Sequence, residues 1–107
     1  MKIYYGKAIY NKKEINASLS VLKSKSLTLI DGPLVKELEK KISKLFGKKY
    51  GLMVNSGSSA NLLALASLNL KKGDEVIAPT LTFSTTVAPI YQLGLTPHFI
   101  DVESNSF

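Results

Sequence analysis

The segment GLMVNSGSSAN at residues 51–61 constrains the fold of this chain more than any other part of its sequence. A short run of apolar, strand-forming residues ends at Asn55, and small hydroxyl residues then lead into the apolar stretch LLALASLNL. This order predicts a strand, a tight turn and a helix. The first amides of a helix have no carbonyl partner in that helix, and the helix dipole is positive there, so such a turn attracts anions. On this segment alone, an ordinary turn with a serine N-cap is an equally good interpretation.

The sequence after residue 50 alternates between strand and helix patterns. Strands are predicted at residues 52–55, 75–78 and 98–102, and the helices between them at 58–70 and 84–93. This βαβαβ order predicts an α/β fold with a parallel, doubly wound sheet, in which ligands bind at the carboxyl ends of the strands. The loops NSGSSA and PTLTFSTT both lie at such ends.

Two helices are predicted before this alternation. Asn11 followed by Glu14 is typical of a capping box, and apolar residues then recur at helical spacing, which predicts a helix over residues 12–25. Pro33 suits the first turn of a second helix that ends at Gly47. Because this second helix is amphipathic, we expect its apolar face to pack against another element.

The composition narrows the classes of function. Lysine and arginine number 14 against 8 aspartate and glutamate residues, a net charge of +6, but the basic residues are scattered and predict a solvated surface, not a nucleic-acid site. The chain has no cysteine, which excludes disulfides and thiolate metal sites within it, and we expect no metal site. The longest near-apolar run, residues 60–70, is too short to cross a bilayer, and no secretory signal is evident, so we expect a cytoplasmic protein without membrane contact.

Three blocks of sequence, in this order, resemble the amino-terminal part of the DegT/DnrJ/EryC1/StrS family. They are GPLVKELEKKISKLFGKKYGLMVNSGSSANLLAL, KKGDEVIAPTLTFSTTVAPI and LGLTPHFIDVE, and they cover most of the chain from Gly32 onward. The resemblance implies the start of the large domain of a fold-type-I enzyme that uses pyridoxal 5′-phosphate (PLP). Residues 1–31 are then an amino-terminal arm and helix, and residues 32–107 are the first part of an incomplete PLP-binding domain. The resemblance also implies a homodimer.

The resemblance assigns cofactor-binding roles to four residues. The family's phosphate loop falls on Gly57, Ser58 and Ser59, whose amides and hydroxyls would hold the cofactor phosphate. The aromatic residue that stacks on the pyridine ring falls on Phe83, and a flat apolar face suits such a ring. Without the flanking LT and STT, a core aromatic beneath the next helix would be the favoured interpretation of Phe83.

The leading hypothesis for the function is a sugar aminotransferase. The resemblance implies transfer of an amino group from an amino acid donor, glutamate, to a nucleotide-linked keto-sugar for surface polysaccharide. The Schiff-base lysine and the acidic partner of the ring nitrogen lie, in the family, beyond the last residue of this sequence. We therefore assign no catalytic residue, and we expect the chain to be inactive alone.

Two other functions stay open. SGSSANLLAL and TTVAPI also resemble the dehydrase branch of the family, which removes a sugar hydroxyl and has histidine in place of the Schiff-base lysine. The short connection LNLKKGDE, where that branch tends to carry a longer insertion, speaks against it. The other alternative is a non-catalytic module that binds an anion or a protein partner through the same helix end and positive charge.

Overall fold

The computed structural model describes residues 3–24 and 29–105, which form four helices and a two-stranded sheet. The chain divides into two compact units, Met1–Gly51 and Leu52–Phe107. The sequence-based boundary between residues 31 and 32 stays a prediction about the domain of the whole protein. Within the described ranges, no helix combines the length and the apolar character that a membrane span requires.

Helices α1 and α2 belong to the first unit and begin where the sequence predicts. In α1 (Lys12–Lys23), the Asn11 amide donates to the Glu14 carboxylate at 2.7 Å while the Asn11 side chain accepts from the first turn, so the predicted capping box forms. Helix α2 (Pro33–Leu45) has Pro33 in its first turn, and Gly47 follows it with a positive φ of 62°. The predicted last residue of α1, Lys25, lies outside the described residues.

The apolar stripe of α2 is largely exposed in the first unit. Its side chains range from 42% to 75% exposed: Leu34, Leu38, Ile42 and Leu45. The expected helix or strand against this stripe is not found among the described residues of the unit. The other side of α2 is covered by the chain itself, because Gly51 lies against the backbone of Glu39 and the side chain of Ser43, which is buried.

The second unit is built around two parallel strands, β1 (Glu75–Pro79) and β2 (Thr96–Ile100), with Ile77 opposite His98. The strands are joined by α4 (Ser84–Gln92), and α3 (Gly57–Ala66) packs on α4. The core is small. Its buried members are Ala78, Ile90 and Leu95, one each from β1, α4 and the turn before β2.

The predicted strand at residues 52–55 is not formed. The segment has no partner strand, since the described sheet contains only β1 and β2. A strand is stabilised by hydrogen bonds to its neighbour, so a strand-forming sequence without one stays outside the sheet. The later β–α–β pattern is confirmed, although β2 begins two residues earlier than predicted.

Helix α3 is shorter than predicted. It ends at Ala66, and the amides of Leu68 and Asn69 form tighter bonds to carbonyls three residues back. Asn69 then adopts a left-handed conformation with a φ of 52°. Asparagine tolerates this conformation and commonly ends helices, so the apolar residues that follow do not extend α3 to residue 70.

Gly51 offers a direct test of the packing in the first unit. An added Cβ would lie 2.7 Å from the carbonyl oxygen of Glu39, a backbone atom that cannot swing away. We expect Gly51→Ala to lower the free energy of unfolding by about 1–3 kcal/mol, measured by urea denaturation. Gly6→Ala is the matched control, because a Cβ at Gly6 meets no atom within 4 Å. Equal stability of the two variants would contradict this packing.

Candidate functional site

The turn that opens α3 is capped by its own serines. Ser56 has an extended backbone, and its hydroxyl oxygen accepts from the Ser59 amide at 3.1 Å. The same hydroxyl donates to the Ser59 hydroxyl oxygen at 3.1 Å, and the Ala60 amide donates to the Ser56 carbonyl at 3.0 Å. Ser56 therefore serves the helix itself, as the simple N-cap interpretation expects.

Two residues at this helix end are left with free donors. The amides of Gly57 and Ser58 lie in the first turn, where the helix supplies no carbonyl to accept from them. The Ser58 side chain is exposed and its hydroxyl makes no hydrogen bond within the described chain, whereas the half-buried Ser59 hydroxyl already accepts from Ser56. The donors that remain point to binding of an anion at Gly57 and Ser58, with Ser59 able to add its hydroxyl hydrogen.

The space around Gly57 is open. A Cβ built at this position meets no heavy atom within 4 Å, and the backbone does not adopt the left-handed conformation that favours glycine. Neither strain nor packing in the described structure therefore requires glycine here. Its effect is to leave the helix end accessible, so that a phosphate can approach the backbone closely.

Phe83 stands at the start of α4 as its N-cap residue and is 72% exposed. The helix that follows Phe83 therefore does not cover its ring within the described unit. The loop around it is ordered by two contacts: the Thr82 hydroxyl donates to the Thr86 hydroxyl at 3.0 Å, and the Thr86 amide donates to the Phe83 carbonyl at 2.9 Å. These two bonds fix the backbone around Phe83 at the start of α4.

The loop that carries Phe83 begins at a fixed point on the sheet. The Thr80 amide donates to the Ile100 carbonyl at 2.9 Å, and its hydroxyl donates to the Asp101 carboxylate at 3.2 Å. The same carboxylate oxygen accepts from the Val102 amide at 2.9 Å. These bonds tie together the carboxyl ends of β1 and β2, where a parallel sheet binds its ligands.

One side chain joins α3 to α4 near the starts of both helices. The Asn61 side-chain amide, in the second turn of α3, donates to the Thr85 carbonyl at 3.3 Å, two residues after Phe83. The bond thereby links α3, which begins with Gly57, Ser58 and Ser59, to the first turn of α4, whose N-cap is Phe83. Asn61 was not predicted as a site residue. The signal in the sequence was Pro89, which has no amide to donate to the Thr85 carbonyl four residues earlier in the same helix.

Residues 8–107 match the model of the DegT/DnrJ/EryC1/StrS aminotransferase family. The chain belongs to this family. The resemblance found in the sequence is therefore confirmed over nearly the whole chain.

Several members of the family can be compared with the chain directly. It is 46% identical over 99 residues to GDP-4-keto-6-deoxy-D-mannose 3-dehydratase of Escherichia coli O55:H7, an alignment that covers 87% of this chain and 25% of that protein. It is 40% identical over 70 residues to UDP-N-acetyl-3-dehydro-alpha-D-glucosamine 3-aminotransferase of Acidithiobacillus ferrooxidans, covering 65% of this chain and 19% of that protein. The chain thus spans a quarter or less of these curated relatives.

A solved structure of the E. coli dehydratase with bound hydrated PLP superposes with a TM-score of 0.84 at 43% identity, covering 94% of this chain and 27% of that one. The structural neighbours are PLP-dependent fold-type-I enzymes, so the predicted fold class is confirmed. An open helix end with free amides and a neighbouring exposed aromatic face suit the two parts of PLP, a phosphate and a flat ring.

The serines of this turn differ in the stability that they provide. Ser56→Ala removes the N-cap hydrogen bond, and we expect it to lower the free energy of unfolding by about 1 kcal/mol. Ser58→Ala removes no hydrogen bond within the described chain, so its effect is expected to stay within about 0.5 kcal/mol. Urea denaturation followed by circular dichroism measures both. A larger loss for Ser58→Ala than for Ser56→Ala would contradict the roles assigned to these hydroxyls.

Proposed function

We propose that this chain supplies the phosphate-binding and ring-stacking part of a PLP-dependent enzyme that acts on a nucleotide-linked keto-sugar. Gly57, Ser58 and Ser59 hold the cofactor phosphate, and Phe83 stacks on the pyridine ring. The observation that carries this proposal is the free, accessible start of α3, which a hydrogen bond joins to the loop of an exposed aromatic residue.

The residues of this chain bind and orient the cofactor. PLP, when bound, supplies the electron sink that bond breaking next to a carbonyl carbon requires. The amides of Gly57 and Ser58, with the helix dipole behind them, would stabilise the charge of the phosphate. The Phe83 ring would hold the pyridine ring by stacking. No residue of this chain is assigned a proton-transfer step.

For the reaction, our first candidate is 3-dehydration of the nucleotide-linked keto-sugar. The support is the similarity to three 3-dehydratases, at 46%, 41% and 42% identity. Amino transfer, the leading hypothesis from the sequence, is the second candidate, supported by the 40% identity to the aminotransferase of A. ferrooxidans and by the short connection before β1.

The partners of the whole protein are part of the same proposal. They are a nucleotide-sugar substrate for surface polysaccharide, glutamate as amino donor, and a second copy of the protein in a homodimer. The exposed apolar stripe of α2 supports an additional packing partner, although it does not identify one. A cytoplasmic location stays a prediction.

Binding of the phosphate and of the ring can be separated by mutation. In Gly57→Ala, the new methyl group occupies the open space at the helix end, and we expect the affinity for inorganic phosphate and for PLP to fall by about tenfold. In Phe83→Ala, only the affinity for PLP should fall, by about fivefold, because stacking is lost while the phosphate donors remain. Titrations of the ¹⁵N-labelled protein, read from the amide signals of residues 57–59, measure both affinities.

Tyr91→Ala is the matched control, since Tyr91 is exposed to 62% at the opposite end of α4. It should leave both affinities unchanged. Loss of phosphate binding in Phe83→Ala, or an unchanged PLP affinity in Gly57→Ala, would contradict the assigned roles.

Because this chain is expected to be inactive alone, the reaction is tested on the whole protein that contains it, incubated with PLP, glutamate and GDP-4-keto-6-deoxy-D-mannose and followed by mass spectrometry of the sugar. Dehydration predicts a product that has lost the 3-hydroxyl group, whereas amino transfer predicts a product that has gained an amino group. Phosphate and PLP binding without either product would instead favour the non-catalytic binding module.

A further inference from the structure

Helix α4 contains a proline in its interior, and this leaves one carbonyl without its usual donor. Pro89 is buried in α4, four residues after Thr85. In an α-helix the Thr85 carbonyl accepts from the amide of residue 89, but proline has no N–H. The Thr85 carbonyl is therefore free to accept from a donor outside the α-helical pattern.

Asn61 of α3 provides that donor. Its side-chain amide nitrogen lies 3.3 Å from the Thr85 carbonyl oxygen. Only the NH₂ end of an asparagine side chain can donate to a carbonyl, so the contact also fixes the orientation of the Asn61 amide. The hydrogen bond missing within α4 is thus replaced by one that reaches across from α3.

This contact has a directional effect that the rest of the α3–α4 interface lacks. Helix α3 packs on α4, and its sequence GSSANLLALA is apolar on nearly every face. Apolar contacts are non-directional and permit small shifts of one helix along another. A hydrogen bond between Asn61 and Thr85 requires a defined register, so it fixes where the start of α3 lies relative to the start of α4.

We infer that Asn61 is a positioning residue that sets the separation between the phosphate-binding turn at Gly57 and the ring-stacking Phe83. This inference rests on the proposed function. PLP carries its phosphate and its ring on one rigid framework. The phosphate can therefore bind the Gly57 turn while the ring stacks on Phe83 only when the separation of these two residues matches that of the two groups in the cofactor. Asn61 touches neither part of the cofactor in this role.

Asn61→Leu tests the inference, because leucine has a similar size, bears no charge and cannot donate. The affinity for inorganic phosphate, which contacts only the α3 turn, should stay unchanged. The affinity for PLP should fall by about fivefold, and the circular dichroism of the bound cofactor should change as the ring loses its fixed angle. Ser67→Ala is the matched control, since it removes a hydrogen bond between the Ser67 hydroxyl and the Ala64 carbonyl at the other end of α3; both affinities should remain as in the wild type.

Pro89→Ala distinguishes two possible roles of Asn61: positioning α3 against α4, and simply supplying a hydrogen bond to the Thr85 carbonyl. Alanine restores the amide of residue 89, so the Thr85 carbonyl regains an α-helical donor. In the double variant Asn61→Leu/Pro89→Ala, we expect the free energy of unfolding to recover relative to Asn61→Leu, while the PLP affinity stays low because the link between the helices is still absent. Recovery of the PLP affinity together with the stability would overturn the positioning role.

The inference and the proposed function fail in different ways. A wild-type protein that binds neither phosphate nor PLP at residues 57–59 overturns both. A wild-type protein that binds both, with Asn61→Leu unchanged in PLP affinity and in the circular dichroism of the cofactor, overturns the role of Asn61 alone.

Discussion

The contact of α4 with the two parallel strands is the interaction on which the candidate site depends. Ile90 is 2% exposed and meets Ala78 of β1 and Leu95 just before β2, so one small apolar cluster holds the helix on the sheet. Because α4 is fixed there, its first residue, with Phe83 before it, is held at the carboxyl end of β1. Helix α3 packs in turn on α4, which brings the Gly57 turn into the same unit as Phe83.

The polar residues around the site divide into those that complete the fold and those that stay available. Ser56, Thr80 and Asp101 use their side chains for hydrogen bonds within the chain. The Ser58 hydroxyl and the amides of Gly57 and Ser58 do not. This division is the physical basis for assigning the phosphate to Gly57 and Ser58, since a ligand binds most favourably where donors have no other partner.

Much of this arrangement could be predicted from the sequence because the signals were local. Asn11 with Glu14 and the position of Pro33 indicated the starts of α1 and α2. The serines after Asn55 likewise indicated the start of α3, to which we assign phosphate binding, and the family resemblance added Phe83, which local patterns could not assign.

Other features depend on contacts between distant residues and were not predictable in this way. The segment at residues 52–55 has the composition of a strand, but a strand also needs a neighbour, which local composition does not reveal. The end of α3 was set by the left-handed conformation of Asn69, not by the apolar residues around it. The Asn61–Thr85 bond spans 24 residues, and the missing amide of Pro89 indicates only that the Thr85 carbonyl has no α-helical donor.

A crystal structure of the protein grown with PLP tests the central claim most directly. The account predicts the cofactor phosphate within hydrogen-bond distance of the Gly57 and Ser58 amides and the Ser58 hydroxyl, with the pyridine ring lying flat against Phe83. A phosphate bound elsewhere, with the start of α3 in contact only with solvent, would contradict it.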